Sequence, residues 1–345
     1  MGIKFRLIVM NFLQYAIWGS WLISLGAYLG GGLQFTGLQI GSFFATMGIA
    51  SLFMPALMGI IADRWIPAQK LLGICQLISA GFLVAAASQT AYGPLYTCML
   101  MSVMFYMPTI ALSNSVAYNA AFVQYAEPQG GETWRLLRDT ARACGVWLVA
   151  GSVPERDGDA IYNTCYVFDP QGTQQAKHRK VHLFDIDVAG GQRFFESDTL
   201  SPGQQYTLVD TPFGKLGVAI CFDVRFAELF RILALEGARL IVVPAAFNMT
   251  TGPAHWELLF RARALDNQCF VAGCAPARDE TAGYVSYAHS LVCDPWGRVQ
   301  AQAEAAPQLL ICDIDLTETD AVRAQIPVLR ARRTDLYQLK YEKDS

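Results

Sequence analysis

Asp210-Thr-Pro-Phe-Gly-Lys-Leu-Gly-Val-Ala-Ile-Cys221-Phe-Asp-Val-Arg-Phe-Ala-Glu228 is the stretch that decides how the second half of the chain is read. Phe213-Gly214-Lys215 reads as a tight turn, and Leu216 to Ile220 as a short apolar strand ending at Cys221. Phe226, Leu229, Phe230 and Leu233 recur at helical spacing, so a helix is expected over Phe226–Glu236. Cys221 therefore falls where a strand ends and a helix is about to start. Parallel sheets present chemistry at such turns, because backbone N–H groups are free there and the helix N-terminus is electropositive. A cysteine so placed can have its pKa lowered and act as a nucleophile. A buried cysteine serving as a small hydrophobe is the alternative.

Working outward, the chain is two unlike parts. It has 345 residues, 53% of them hydrophobic, with net charge −3, which argues against a nucleic-acid surface. From Met1 to Tyr118 the charged residues are Lys4, Arg6, Asp63, Arg64 and Lys70. The remainder holds 22 of the 26 Lys and Arg, 28 of the 29 Asp and Glu, and all four histidines. Nine cysteines show neither a CxxC pair nor a regular spacing, which fits no disulfide framework or zinc site and suits a reducing compartment.

Apolar runs over Leu7–Leu33, Leu38–Ala62, Leu71–Ala91 and Leu95 to about Ala117 are each long enough to span a bilayer. The lipid bilayer is thus an expected partner through residues 7–117. Recurring Gly19, Gly26, Gly41, Gly48, Gly59 and Gly81 let such helices approach closely. Lys4 and Arg6 precede the first span, and Arg64 and Lys70 lie between the second and third. The positive-inside rule then places these segments, and the chain after four spans, in the cytoplasm. The expected location is the inner (cytoplasmic) membrane, multi-pass, with the C-terminal domain cytoplasmic. Phe12-Leu-Gln-Tyr-Ala-Ile-Trp-Gly-Ser-Trp21, Phe53 to Trp65 and Tyr106-Met-Pro-Thr-Ile-Ala-Leu-Ser-Asn-Ser115 resemble the start of bacterial nucleoside permeases of the major facilitator superfamily. In that resemblance Asp63 belongs to a structural loop motif. Such a transporter works with two helical halves, so four spans imply a fragment of one.

After Tyr118 the pattern changes. Glu132–Cys144 reads as an amphipathic helix and Ala254–Asn267 as another. Strands are expected at Val146–Val153, Tyr162–Asp169, Tyr206–Val209, Leu216–Ile220, Leu240–Pro244, Cys269–Cys274, Ser290–Asp294 and Leu309–Asp315. Turn residues separate them, giving an interleaved α/β domain. The organisation expected is an all-α transmembrane segment at 1–118 followed by an α/β domain at 119–345.

Two further stretches carry candidate chemistry. Lys177-His-Arg-Lys180-Val-His-Leu-Phe184 sets Lys180 before Val181, Leu183 and Phe184, where it is either a fixed charge in an apolar pocket or part of a solvated charge run. Phe194-Phe-Glu196 puts a carboxylate beside two aromatics, where desolvation would raise its pKa, or else forms a surface turn.

Taken with Gly151-Ser-Val-Pro-Glu155, Leu200-Ser-Pro-Gly203, Ile220 to Glu228, Phe247 to Leu259 and Arg263-Ala-Leu-Asp-Asn-Gln268, these stretches resemble the nitrilase (carbon–nitrogen hydrolase) superfamily, most of all its omega-amidase branch. The resemblance implies a four-layer αββα sandwich, a small amide as substrate, a Cys–Glu–Lys triad, no metal or organic cofactor and possible homodimerisation. By it, Cys221 matches the nucleophile, Lys180 the lysine facing the oxyanion, and Glu196 a second glutamate found near many such triads. The backbone N–H of Phe222 would complete the oxyanion hole, and His255 would pack or hydrogen-bond. The family's base glutamate, which follows an earlier strand, has no counterpart before Tyr125: the text Tyr118-Asn-Ala-Ala-Phe-Val-Gln124 is without acid, and Glu127, Glu132 and Glu155 sit at other positions. The expectation is an incomplete sandwich with little or no turnover and an exposed sheet edge, formed by fusion of two truncated proteins, with an inactive fusion product as an alternative.

Overall fold

The computed structural model describes residues 3–187, 193–282 and 284–341. The chain divides into two compact units, Met1–Gln124 with Ile186–Phe194, and Tyr125–Asp185 with Phe195–Ser345.

The first unit holds α1 (Ile3–Ala27), which runs on into a π-turn, α2 (Gly37–Arg64), α3 (Ala68–Ala87) and α4 (Tyr92–Tyr125). All four helices are long and apolar enough to cross a membrane. Thr36 starts α2 with a reciprocal cap: its hydroxyl accepts from the Gln39 N–H and its own N–H donates to the Gln39 side chain. Buried polar groups pair across helices. Gln14 of α1 donates to Thr109 of α4 at 2.6 Å, and Gln76 of α3 donates to Gln14 at 2.5 Å. An amide left unpaired in hydrocarbon would be costly, so such bonds select one packing of the helices. The side chains of Asp63 and Arg64, the expected loop motif, lie outside the described residues. α4 runs unbroken through 118–119, where the composition changes.

The second unit opens with α5 (Glu132–Cys144), closed by Gly145 at φ +64, a left-handed position that favours glycine. β1 (Leu148–Asp157), β2 (Ala160–Phe168) and β3 (Gln174–Arg179) form an antiparallel three-stranded sheet in that order. β4 (Asp185–Asp187) and β5 (Arg193–Phe195) make a small pair, most of whose residues group with the first unit. β6 (Thr207–Thr211), β7 (Gly214–Val218), α6 (Ala227–Leu235), β8 (Ala238–Pro244), α7 (Gly252–Asn267), β9 (Phe270–Cys274), β10 (Leu291–Cys293), β11 (Val299–Gln302) and α8 (Thr317–Gln325) complete it. β11–β10–β9–β8–β7–β6 is one six-stranded sheet, parallel through β7, β8 and β9.

The sheets pack face to face: Cys165 and Val167 of β2 meet Val209, Leu216, Val218 and Ile220. Helices cover the outer faces. Trp134, Leu137 and Ala141 of α5 lie on Tyr166 and Phe168. Phe230 and Leu233 of α6, with Trp256 and Phe260 of α7, lie on Ile241, Val243 and Val271. The layers read α–β–β–α, with three strands in one sheet and six in the other.

One expectation is corrected. Leu309–Asp315 forms no strand, although burial still alternates along it; among the described residues no strand pairs with it. β3 overlaps the stretch weighed as a charge run, and β11 and α8 lie where no element was expected; their polar composition hides them from an apolar-pattern reading. A five-residue 3₁₀ turn, Cys221–Arg225, fills the gap between the expected strand and the expected helix, which starts at Ala227.

Candidate active site

Cys221 follows β7 closely. After Val218, the Ala219 N–H donates to the Val242 carbonyl, and the chain breaks into the 3₁₀ turn at Cys221. Cys221 has φ +47, a left-handed conformation that costs a non-glycine residue on the order of 1–3 kcal/mol. Its sulfur hydrogen-bonds to the Ala246 carbonyl, just past β8, at 3.7 Å. The turn is braced by Arg225, whose guanidinium lies over the Phe222 and Phe247 rings and meets His255 Nδ1 at 3.2 Å.

Lys180 is the residue after β3 and is 1% exposed. Its backbone is held on both sides: its N–H donates to the Asn163 carbonyl and its carbonyl accepts from the Gly203 N–H, each at 2.8 Å. Gly203 is required there, since a Cβ would sit 2.1 Å from the Arg179 carbonyl oxygen. Glu196 opens a short 3₁₀ turn after β5 and is 5% exposed. One of its oxygens accepts from Lys180 Nζ at 2.5 Å and from the Phe184 N–H at 2.8 Å. A buried ammonium and carboxylate persist only as a bonded pair, because each alone would be too costly to desolvate. Phe222 sets its ring edge-on to Phe184 and Phe226.

Cys221, Lys180 and Glu196 thus sit within electrostatic reach of one another. Burial pushes the Cys221 thiol up, the Lys180 ammonium pulls it down, and Glu196 and Asp223 add to the rise. The net direction is upward, against the lowered value expected from a helix N-terminus, because desolvation outweighs the pull of the Lys180 ammonium. Among the described residues, the hydrogen bond of the Cys221 sulfur goes to a carbonyl.

Two of the other acids named from the sequence, Glu127 and Glu155, are engaged elsewhere. Glu127 accepts from the Thr133 N–H and hydroxyl at the start of α5. Glu155 of β1 is 2% exposed and accepts from Lys177, Arg179 and Thr164 at 2.7–2.9 Å. Burial alone would raise its carboxyl; the bonds from Arg179, Lys177 and Thr164 prevail and hold it at about 2.

Asp223, His178 and His182 escaped the sequence reading. Asp223 is fully buried and accepts from the Ile220 N–H, the His182 N–H and ring, and the His178 ring. The signal available was an acid two residues after Cys221 and two histidines flanking Lys180 at even spacing.

Comparison with known proteins gives two answers for the two parts. Residues 92–324 match the carbon–nitrogen hydrolase family model, and residues 1–129 match that of the nucleoside H+ symporters. The chain is 53% identical over 231 residues to omega-amidase NIT2-A of Xenopus laevis, covering 67% of this chain and 84% of that one. It is 51% identical over 222 residues to omega-amidase NIT2 of Homo sapiens, covering 64% and 80%. Among solved structures it resembles Nit3 of Saccharomyces cerevisiae, a member of branch 10 of the nitrilase superfamily: 39% identity, TM-score 0.57, 62% of this chain and 78% of that one. The NitFhit protein of C. elegans aligns at 36% identity and TM-score 0.59, over 68% and 56%.

Proposed function

Because the chain belongs to the carbon–nitrogen hydrolase family, we propose that Cys221, Lys180 and Glu196 form the reacting centre of an omega-amidase-like enzyme that releases ammonia from a small ω-amide, such as 2-oxoglutaramate. The observation that carries this reading is the buried Lys180–Glu196 pair, 2.5 Å apart, whose charges act on a thiol held at φ +47 at a strand end.

The chemistry follows from the groups. The thiol loses its proton and its sulfur bonds to the amide carbon, while the C=O electron pair moves onto oxygen. Lys180 Nζ and the Phe222 N–H face that oxyanion. The pair returns, the C–N bond breaks, and the nitrogen takes a proton and leaves as ammonia. Water then adds to the thioester carbon, the C–S bond breaks, and the carboxylic acid and thiol are released. A base must take the thiol proton and later that of water. Glu196 already serves Lys180 and the Phe184 N–H, and no second carboxylate bonds to the sulfur among the described residues. We therefore place the rate about 10²–10⁴-fold below that of a site with its own base.

The test uses the full chain in detergent, with 2-oxoglutaramate as substrate, and follows ammonia release and acylation of the Cys221 peptide by mass spectrometry. Slow release and an acyl adduct, both absent from Cys221→Ala, are expected. Equal rates for the two proteins, with no adduct, overturn the reading.

We keep the domain boundary at 118–119 as a sequence-based proposal; the first charged residue beyond it is Glu127, and the compact units divide at Gln124 and Tyr125. The charge distribution supports an inner-membrane location with the hydrolase unit on the cytoplasmic side, and kinship supports a homodimer through that unit. A second reading, proton-coupled nucleoside transport, is favoured by the symporter match alone. Vesicles carrying the 345-residue chain should take up no labelled uridine above empty vesicles, since the four candidate spans among the described residues supply only part of one half of such a transporter.

A further inference from the structure

Asp223 lies two residues after Cys221, and its partners His178 and His182 lie two residues before and two after Lys180. Its Oδ1 accepts from the His182 N–H at 2.9 Å and from His182 Nδ1 at 2.8 Å. Its Oδ2 accepts from the Ile220 N–H at 2.9 Å and meets His178 Nε2 at 3.3 Å. Both histidines are braced in turn. His178 is fully buried, with Nδ1 3.0 Å from the Thr207 hydroxyl. The His182 ring stacks on Phe226, 3.6 Å between centroids and 7° from parallel.

We propose that Asp223 is a positioning residue: it ties the turn bearing Cys221 to both flanks of Lys180 and so fixes the ammonium against the sulfur. This deepens the reading of Cys221 as nucleophile and rests on it. Neither element would hold the separation alone. Lys180 stands just beyond the end of β3, and Cys221 stands just beyond the end of β7 on a different sheet. A carboxylate suits the task because it accepts through both oxygens, and two backbone N–H groups and two ring nitrogens converge on it. An amide of the same shape would turn an N–H₂ toward at least one of those donors. Burial by itself would raise the Asp223 carboxyl; the bonds from His178 and His182 outweigh it and hold it well below the usual carboxylate range. The acceptor is therefore charged wherever the enzyme would work.

The charged groups acting on the sulfur are Lys180, Glu196 and Asp223, and Arg225 is coupled to it from its own turn. Lys180 is the one that lowers the thiol pKa most directly, so its displacement is readable without any turnover. The experiment measures iodoacetamide alkylation of Cys221 against pH in the full chain. Peptide mass spectrometry separates it from the exposed Cys144 and Cys274. Asp223→Asn, Lys180→Gln and the parent protein are compared, each with its melting temperature. Loss of the Asp223 charge alone would ease the thiol downward, so a move of the Asp223→Asn alkylation profile to higher pH, in the same direction as Lys180→Gln, is expected only through displacement of Lys180. At pH 7.5 its rate should fall roughly tenfold, the factor that accompanies one pKa unit. His182→Ala, which keeps the backbone bond, should fall between parent and Asp223→Asn. If Lys180→Gln shifts the profile and Asp223→Asn leaves it in place, the positioning role is overturned. Faster alkylation at every pH overturns it equally, since that marks unfolding or the lost Asp223 charge acting without any displacement of Lys180. If Lys180→Gln itself shifts nothing, the Lys180–Cys221 coupling fails, and with it the proposed reacting centre.

Discussion

The two sheets of the hydrolase unit are held by different forces. In the six-stranded sheet, α6 joins β7 to β8 and α7 joins β8 to β9, and each crossover helix lies on the sheet it connects. Its core is continuous and apolar, from Phe230 to Trp256 and Phe260, all fully buried. The three-stranded sheet has hairpin connections and no crossover. Its outer face is covered by α5 at one end, through Tyr166 and Phe168. At the other end it is tied by charge, with Glu155 under Lys177 and Arg179. β1 pairs along one side with β2, and the bridge assigned to its other side is Glu155–Glu127. A sheet with its own crossovers closes on itself; one built of hairpins relies on what is laid beside it.

The largest test of this contrast removes one tryptophan from each half. Trp256 is fully buried against Phe247 and Phe260, and its Nε1 donates to the His289 carbonyl at 2.7 Å. Trp256→Ala leaves a large cavity and an unpaired carbonyl, and should cost about 3–5 kcal/mol. Trp134 of α5 is only half-buried, packs edge-on to Phe168 and donates to Gln174 at 2.6 Å. Trp134→Ala should cost about 1–2 kcal/mol. Denaturant unfolding of the full chain in detergent, followed by peptide-resolved hydrogen exchange, measures both. Equal costs would break the contrast.

A smaller effect comes from acid. Glu155 is lowered from 4.5 to about 2, so its ionised form stabilises the folded state. That contribution is complete above about pH 4.5 and disappears as pH falls toward about 2. Glu155→Gln should therefore cost about 2 kcal/mol at pH 7 and almost nothing near pH 2, allowing for partial exposure of Lys177 and Arg179. Normalised protection of β1–β3 amides should fall through this window in the parent protein, while β8 and β9 keep theirs. A cost for Glu155→Gln that stays constant with pH would show that the pair contributes packing alone.

The same division governs how much of the molecule was legible in the sequence. β7, β8 and β9 are apolar runs between turn residues, and α5 and α7 carry clear amphipathic or capped patterns, so local text was enough. β3 was not legible: Ala176 and His178 face the other sheet, while Lys177 and Arg179 face Glu155, and that alternation is invisible until the partner is known. Leu309–Asp315 failed in the opposite sense, because alternation of apolar residues suits a strand but does not supply one. The site divides likewise. Cys221 stands out by its place after an apolar run and Lys180 by the apolar residues after it, whereas Asp223 gains meaning only when β3 is brought over the Cys221 turn.

The smallest effect concerns that orphaned stretch. Leu309 and Ile311 are 82% and 79% exposed, on a segment of alternating burial that pairs with no strand among the described residues. Exposed apolar residues on strand-competent backbone are a template for another chain. They contribute little to the folded unit, so Leu309→Lys with Ile311→Lys should change its stability by no more than about 0.5 kcal/mol. The same pair of substitutions should slow aggregation of the detergent-solubilised protein, measured by light scattering on warming. A matching substitution on the closed sheet, Leu258→Lys on the exposed face of α7 (66% exposed), removes an apolar side chain without touching any unpaired strand. It should leave the aggregation rate near that of the parent. Equal slowing by both would mean that added charge alone suppresses association and that the unladdered segment has no special part in it.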